Sequence, residues 1–271
     1  MALQRLCFWS SPVDRFSVNR ALITFLIAMA AVYAALSILL FAFQRSLLYF
    51  PQPRALAGPG STMQLKVDDA ELVVSVLTRE GPKAVIYFGG NAEDVSQSLP
   101  GIAQAFPEHA VFMLHYRGYG GSTGKPTEAA IHRDAAALLA KVRSTFSDVT
   151  LIGRSLGSGV AIRLAAQSPV QRLVLVTPYD SIANIAASVY PFFPVKALLL
   201  DKYESVLYAP KVTMPTTIVV AEGDEVIPRA NSENLAKHFA PGVARMQIIA
   251  GAGHNTIQNS GEYRRALAPA P

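Results

Sequence analysis

The sequence predicts an α/β protein: a mostly parallel central sheet flanked by helices and preceded by one transmembrane helix. Three observations carry this. Short apolar runs recur between residues 72 and 250 and alternate with stretches of helical length. One of them, Val149-Thr150-Leu151-Ile152, leads straight into Gly153-Arg154-Ser155-Leu156-Gly157 and then into a helix opened by small residues. Ahead of all this, residues 21–43 are 23 positions without a charge.

That uncharged run is the first element. At about 1.5 Å per residue a helix of this length reaches about 34 Å, enough for a bilayer core of about 30 Å. The apolar part of a cleaved leader runs about 7–15 residues. The greater length favours an uncleaved signal anchor over a leader or a core helix. Arg5, Arg15 and Arg20 precede it with Asp14 as the only acid, and Arg45 and Arg54 follow. The positive-inside rule then puts residues 1–20 in the cytoplasm and the rest across the membrane. That side is the periplasm in a bacterium, and the lumen or exterior otherwise. Residues 44–60 read as a juxtamembrane linker. Its Gln44-Arg45-Ser46-Leu47-Leu48-Tyr49-Phe50-Pro51 is amphipathic and aromatic, and Pro51, Pro53, Gly58, Pro59 and Gly60 break regular structure.

The remainder, residues 61–271, reads as one globular domain. The chain has 271 residues, 51% hydrophobic and only 16% charged. Beyond residue 43 lie 21 of the 24 basic and 18 of the 19 acidic residues, a net charge of +3. Without a basic run or aromatic-basic interleaving, no nucleic-acid partner is expected. Cys7 is the only cysteine. The domain therefore has no disulfide, no thiol nucleophile and no cysteine-based metal site.

Within the domain, strands are expected at 72–77, 84–88, 111–116, 149–152, 173–177, 216–221 and 246–250. Helices are expected at 93–106, 127–146, after residue 157, at 231–239 and at 256–267. Such short apolar strands between helices fit a parallel sheet covered on both faces. Residues 178–214 interrupt the alternation. They carry Tyr190-Pro191-Phe192-Phe193-Pro194 and Ala197-Leu198-Leu199-Leu200, and read either as a cap over the sheet edge or as a helix packed on the body.

Gly-x-Ser-x-Gly between a strand and a helix has the context of a nucleophile elbow, with Ser155 at its tip. A serine hydroxyl needs a histidine to take its proton and an acid to hold that histidine. On a parallel sheet the expected chain order is serine, acid, histidine. His254, in Gly251-Ala252-Gly253-His254-Asn255 after the last strand, is the candidate base. Asp224, in Ala221-Glu222-Gly223-Asp224-Glu225-Val226-Ile227-Pro228, is the candidate acid. Glu222 and Glu225 are its neighbours, and Asp180 is a second place for the acid. Oxyanion donors are expected at the backbone N–H groups of Leu156 and Asn91, the latter in Gly89-Gly90-Asn91-Ala92. His115 ends a strand near the same edge and reads as pocket-lining at most.

These residues carry a resemblance. The chain resembles the α/β-hydrolase-fold serine hydrolases, and more narrowly the membrane-anchored abhydrolase-domain proteins related to protein depalmitoylases. The matching pieces are Gln44 to Pro51, Gly90-Asn91-Ala92, Tyr116-Arg117-Gly118-Tyr119-Gly120-Gly121-Ser122, the elbow, Asp224-Glu225-Val226-Ile227-Pro228 and Gly253-His254-Asn255. There are three departures. Gly89-Gly90 stands where the loop usually begins His-Gly, His115 stands where an acid usually precedes Tyr-Arg-Gly, and Thr256 stands where an acid commonly follows His-Asn.

The expectation is a membrane-anchored serine hydrolase, held by residues 21–43, that cleaves small-molecule or lipid-like acyl esters or thioesters through an acyl-enzyme. No metal or cofactor is implied. A serine peptidase of the same fold and a non-catalytic binding or scaffold protein are the alternatives.

Overall fold

Residues 15–55 and 60–268 are described by a computed structural model, with side chains from residue 19 onward. Cys7, most of the N-terminal segment, Gly58 and Pro59 of the linker, and the last residues of the Ala/Pro-rich tail lie outside the described residues. The chain divides after Gln44 into two units.

The N-terminal unit is the body of helix α1 (Arg15–Leu48). Its stretch Asn19–Leu48 has a mean hydropathy of 2.5 and is long and apolar enough to cross a membrane. Leu22, Phe25, Leu26, Ile27 and Ile38 are all exposed, an arrangement that water disfavours and hydrocarbon does not. Thr24 and Ser37 return their hydroxyls to the carbonyls four residues back, which satisfies polar groups inside the helix itself.

The second unit begins at Arg45. Its strands are β1 (Ser61–Val67), β2 (Ala70–Leu77), β3 (Lys83–Phe88), β4 (Ala110–Leu114), β5 (Asp148–Arg154), β6 (Arg172–Val176), β7 (Thr216–Ala221) and β8 (Ala244–Ile249). Its helices are α2 (Val95–Ala105), α3 (Glu128–Arg143), α4 (Leu156–Gln167), α5 (Ile182–Val189), α6 (Val195–Leu198), α7 (Arg229–Ala236) and α8 (Gly261–Leu267). Among the described residues, the eight strands form one sheet in the order β1-β2-β4-β3-β5-β6-β7-β8. In it only β2 runs against its neighbours, β1 and β4; every other pairing is parallel.

Side-chain parity explains the layering. In β3, Ile86 and Phe88 join one core, while Val85 and Tyr87 join the other. In β5, Leu151 goes with the first pair and Ile152 with the second. Strands buried on both faces need apolar residues at consecutive positions, as these have. Ile131 and Leu138 of α3 and Val160 and Leu164 of α4 cover the first face. Leu99 and Ile102 of α2 and Tyr263 and Leu267 of α8 cover the second. Burying one such aliphatic side chain contributes about 1.5–3 kcal/mol, and truncating it to alanine costs about 2–5 kcal/mol.

The helix ends have local causes. Asp94 caps α2 by accepting the Ser96 N–H, and Thr127 caps α3 by accepting that of Ala130. Lys141 and Arg143 close α3 on its negative end. Two features were not expected. Strand β1 precedes residue 72, and the stretch expected as one helix at 256–267 divides into a 3-10 turn (Ile257–Asn259) and α8, with Ser260 capping α8. The segment 178–214 folds as α5, α6 and 3-10 turns at Ser205–Leu207 and Ala209–Lys211.

Candidate active site

Strand register delivers the site. Phe88 pairs with Gly153 and Ala221 with Ile249. The turns leaving β3 and β5 therefore emerge side by side, as do those leaving β7 and β8. Chain order also reverses between β3 and β5, because β3 continues to β4 on one side and β5 lies on the other. Open parallel sheets bind ligands at the carboxyl ends of strands, at such a reversal.

Ser155 sits there with φ 49° and ψ −118°, a region that costs a non-glycine residue about 1–3 kcal/mol. The chain holds it by close packing. A Cβ at position 153 would lie 2.3 Å from the Gly157 carbonyl oxygen, and one at 157 would lie 2.1 Å from that of Phe88. Neither glycine admits a side chain. The Ser155 N–H donates to the Val176 carbonyl, and Ser158 donates from both its N–H and its hydroxyl to the Ser155 carbonyl. Helix α4 starts at Leu156, so the first amides of that helix point out of its N-terminus without intrahelical acceptors.

His254 reaches the serine. Its Nε2 lies 3.0 Å from Ser155 Oγ, and its Nδ1 lies 2.9 Å from both Asp224 carboxylate oxygens. The side chains of His254 and Asp224 are only 6% and 2% exposed. Asp224 Oδ1 also accepts the N–H groups of Val226 and Ile227, which locks the carboxylate against its own loop. Its two neighbours are employed nearby: Glu225 accepts the His254 N–H, and Glu222 accepts the Gly251 N–H. All three acids of the β7 loop thus bind the loop that carries the histidine.

Asp180 is placed differently. It accepts from Asn184, Asn231, Asn234 and the Ser181 N–H. Burial pushes its carboxyl up, but these donors more than offset that and hold it below the usual carboxylate range. It takes no bond from His254. His109, His132 and His238 are also elsewhere, against Phe106, Glu128 and the Asn234 carbonyl respectively.

The loop after β3 is gripped from several sides. The Tyr116 hydroxyl donates to the Gly89 carbonyl, and the Gly90 N–H donates to Glu93 Oε2. Asn91 Oδ1 accepts from the Tyr119 hydroxyl and from the Phe50 N–H. Glu93 also accepts from Tyr87, Ser98 and Arg154. Arg154 in turn donates to the His254 carbonyl at 3.1 Å. Under the elbow, the Tyr179 hydroxyl donates to the Leu156 carbonyl. Burial raises Tyr87, Tyr116 and Tyr179 well above the usual tyrosine range, and Tyr119 to about 12. They stay protonated and remain donors. Glu93, Tyr87 and Tyr179 escape motif-level reading, whereas Tyr116 and Tyr119 lie in the Tyr116–Ser122 motif without a role that the serine–acid–histidine pattern assigns. Arg154 does lie inside the elbow motif, at a position the motif leaves free.

Beside the serine opens a cleft of about 830 Å³ lined by Asn91, Arg154, Ser155, His254, Gln258 and Arg264, among others. Asn91, the serine and the histidine therefore share one opening.

Comparison with known proteins agrees with this fold. The sequence profile of the alpha/beta hydrolase fold matches residues 83–198. The uncharacterized protein Rv2307c of Mycobacterium tuberculosis is 32% identical over 248 residues, 84% of this chain and 86% of that one. The chain belongs to the α/β-hydrolase family. It is also 27% identical to human alpha/beta hydrolase domain-containing protein 17B, over 72% of this chain and 69% of that one. Among solved structures, the Pyrococcus furiosus esterase Pf2001 superimposes with a TM-score of 0.65 at 18% identity, covering 80% of this chain and 97% of that one.

The three departures from the α/β-hydrolase pattern have structural places. Gly89 lies between the Val95 and Glu93 side chains, where a Cβ would approach Val95 to 2.4 Å. His115 is buried with Nε2 2.9 Å from Ser75 Oγ, and it is not among the residues lining the cleft. Thr256 accepts the Gly253 N–H, so its hydroxyl closes the turn that presents His254.

Proposed function

We propose that this α/β hydrolase is a membrane-anchored serine hydrolase that cleaves lipid-like acyl esters or thioesters. The observation that carries the reading is the chain of contacts from Ser155 Oγ through His254 to the buried Asp224, at 3.0 and 2.9 Å. With Nδ1–H committed to the carboxylate, Nε2 keeps its lone pair for the serine proton. Ser155 attacks the acyl carbonyl while His254 takes its proton. The N–H groups of Asn91 and Leu156 hold the oxyanion, and each such donor is worth about 3–4 kcal/mol to a transition state. The intermediate collapses, His254 gives its proton to the leaving group, and an acyl-Ser155 remains. Water, deprotonated by His254, repeats the sequence and frees the acid.

The anchor is α1, through residues 21–43, with the N-terminus in the cytoplasm and the catalytic domain on the far side. Its apolar length supports this, and so does the excess of arginine before it. A site tethered to a bilayer favours substrates whose acyl chains reside there. The scaffold alternative draws on the departures at Gly89, His115 and Thr256. Each is accommodated without disturbing the Ser155–His254–Asp224 contacts, so the catalytic reading is preferred.

A fluorophosphonate probe tests the reading directly. Native full-length protein is expected to become labelled at Ser155, and labelling is expected to vanish in S155A. An unlabelled native protein, beside a labelled hydrolase control, would sink the proposal.

A further inference from the structure

The segment that follows the anchor touches the catalytic loop. Tyr49 is 4% exposed and packs in the main core, with its hydroxyl 3.0 Å from that of Tyr203. The next residue, Phe50, donates its N–H to Asn91 Oδ1 at 3.0 Å and to the Tyr119 hydroxyl at 2.9 Å. Tyr119 closes the ring by donating to the same Asn91 oxygen at 2.9 Å. Two residues on, the Gln52 carbonyl accepts the Gly120 N–H. Finally the Ala55 N–H donates to Asp94 Oδ2, the other oxygen of the residue that caps α2. Residues 50–55 therefore hold the loop at Asn91 and at Asp94, the two ends of its last four residues.

We infer that this strap is a positioning element of the active site, and that the Phe50–Asn91–Tyr119 ring aims the Asn91 backbone N–H at the oxyanion. The inference rests on the hydrolase reading above. The Asn91 side-chain oxygen is committed to the strap and to Tyr119, which fixes the residue whose main-chain N–H is the oxyanion donor in this reading. The residue that follows Asn91 is Ala92, whose φ is 57°. A non-glycine residue keeps such a conformation only when its surroundings hold it there. The surroundings here are Glu93 on one side and the strap on the other. The strap continues covalently through Tyr49 and Leu48 into α1. Tyr119 acts through Asn91, so it is a positioning residue rather than a catalytic one.

The test compares full-length variants in one detergent, read by p-nitrophenyl ester turnover and by melting temperature. Y119F keeps the ring packed and removes only the hydroxyl. It is expected to lower kcat about tenfold, part of the 10²–10³-fold effect of losing a whole oxyanion donor, with KM within about twofold. N91A keeps its backbone N–H and is expected to lose a similar amount, and the double variant no more than either alone. Y49F removes the bond to Tyr203 without touching the loop. It is expected to lower the melting temperature by about 2–4 °C and leave kcat within about twofold. Unchanged kcat in both Y119F and N91A overturns the inference. So does a loss in Y49F that matches theirs, because the strap would then act through stability alone. Fluorophosphonate labelling of the parent protein separates the two levels. A labelled parent with unaffected variants removes the strap's role only, whereas an unlabelled parent removes the hydrolase reading with it.

Discussion

Arg154 and Glu93 form a 2.9 Å ion pair, their side chains 12% and 8% exposed, that ties three loops together. Through Glu93 the pair holds Gly90, and through Arg154 it holds the carbonyl of His254. Removing one member leaves the other charged and buried, at a cost of about 3–5 kcal/mol. E93Q and R154M are each expected to lose that much in urea unfolding. They should also lose kcat at least about tenfold, because loop shifts near 1 Å are costly to catalysis. The double variant should be less destabilised than the sum. Strict additivity would show that the two side chains do not act as a pair.

Two carboxylates at strand ends can be told apart by mutation. D224N should reduce kcat about 10³–10⁴-fold, since the amide cannot hold the productive histidine tautomer. D180N should leave kcat within about threefold, because Asp180 binds asparagines rather than His254, while lowering the urea midpoint. Reversed outcomes would move the acid from the β7 loop to the β6 loop.

The backbone strain at Ser155 is also measurable. S155A should end ester turnover while keeping the melting temperature close to that of the parent. S155G removes the Cβ as well and should be about 1 kcal/mol more stable than S155A, since glycine tolerates φ 49°. Equal stabilities would mean that the elbow stores no strain.

Acid stability follows from His115. Burial lowers its pKa to about 4, well below the usual histidine value near 6.5. The unfolded chain then binds a proton between pH 6.5 and pH 4 that the folded chain refuses. Stability from this group is complete above pH 6.5 and is lost as pH falls toward 4, by up to about 1.4 kcal/mol per pH unit. His109 and His132 are lowered by burial as well and act in the same direction. Urea midpoints between about pH 7 and pH 4.5 should fall less steeply in H115Q than in the parent. Parallel slopes would remove His115 as a source of the acid sensitivity.

Much of the sheet was legible because strands buried on both faces must be continuously apolar. A run such as Thr216-Thr217-Ile218-Val219-Val220-Ala221, buried throughout, stands out without any tertiary context. Strand β1 was not legible for the converse reason: its Thr62, Gln64 and Lys66 alternate with Met63, Leu65 and Val67, and it pairs on one side only. At the site, chain order put a serine, an acid and a histidine at three strand ends, and the fold brings Ser155, Asp224 and His254 within hydrogen-bond reach. The holding residues were hidden because their partners are remote in sequence. Glu93 meets Arg154 across 61 positions, and Phe50 meets Asn91 across 41. No local pattern encodes such a pairing.

The tyrosines around the site also make it visible to light. Trp9 is the only tryptophan in the chain and precedes α1. Residues 45–271 therefore absorb and emit through tyrosine. Seven of these are buried, Tyr49, Tyr87, Tyr116, Tyr119, Tyr179, Tyr203 and Tyr263, and burial raises the pKa of each. A group raised in this way stabilises the fold below its ordinary range near about pH 10 and withdraws that support as pH climbs above it. The phenolates of these seven should thus appear together in one cooperative alkaline step, and that step would report the opening of the core and loops around Ser155 without any added label.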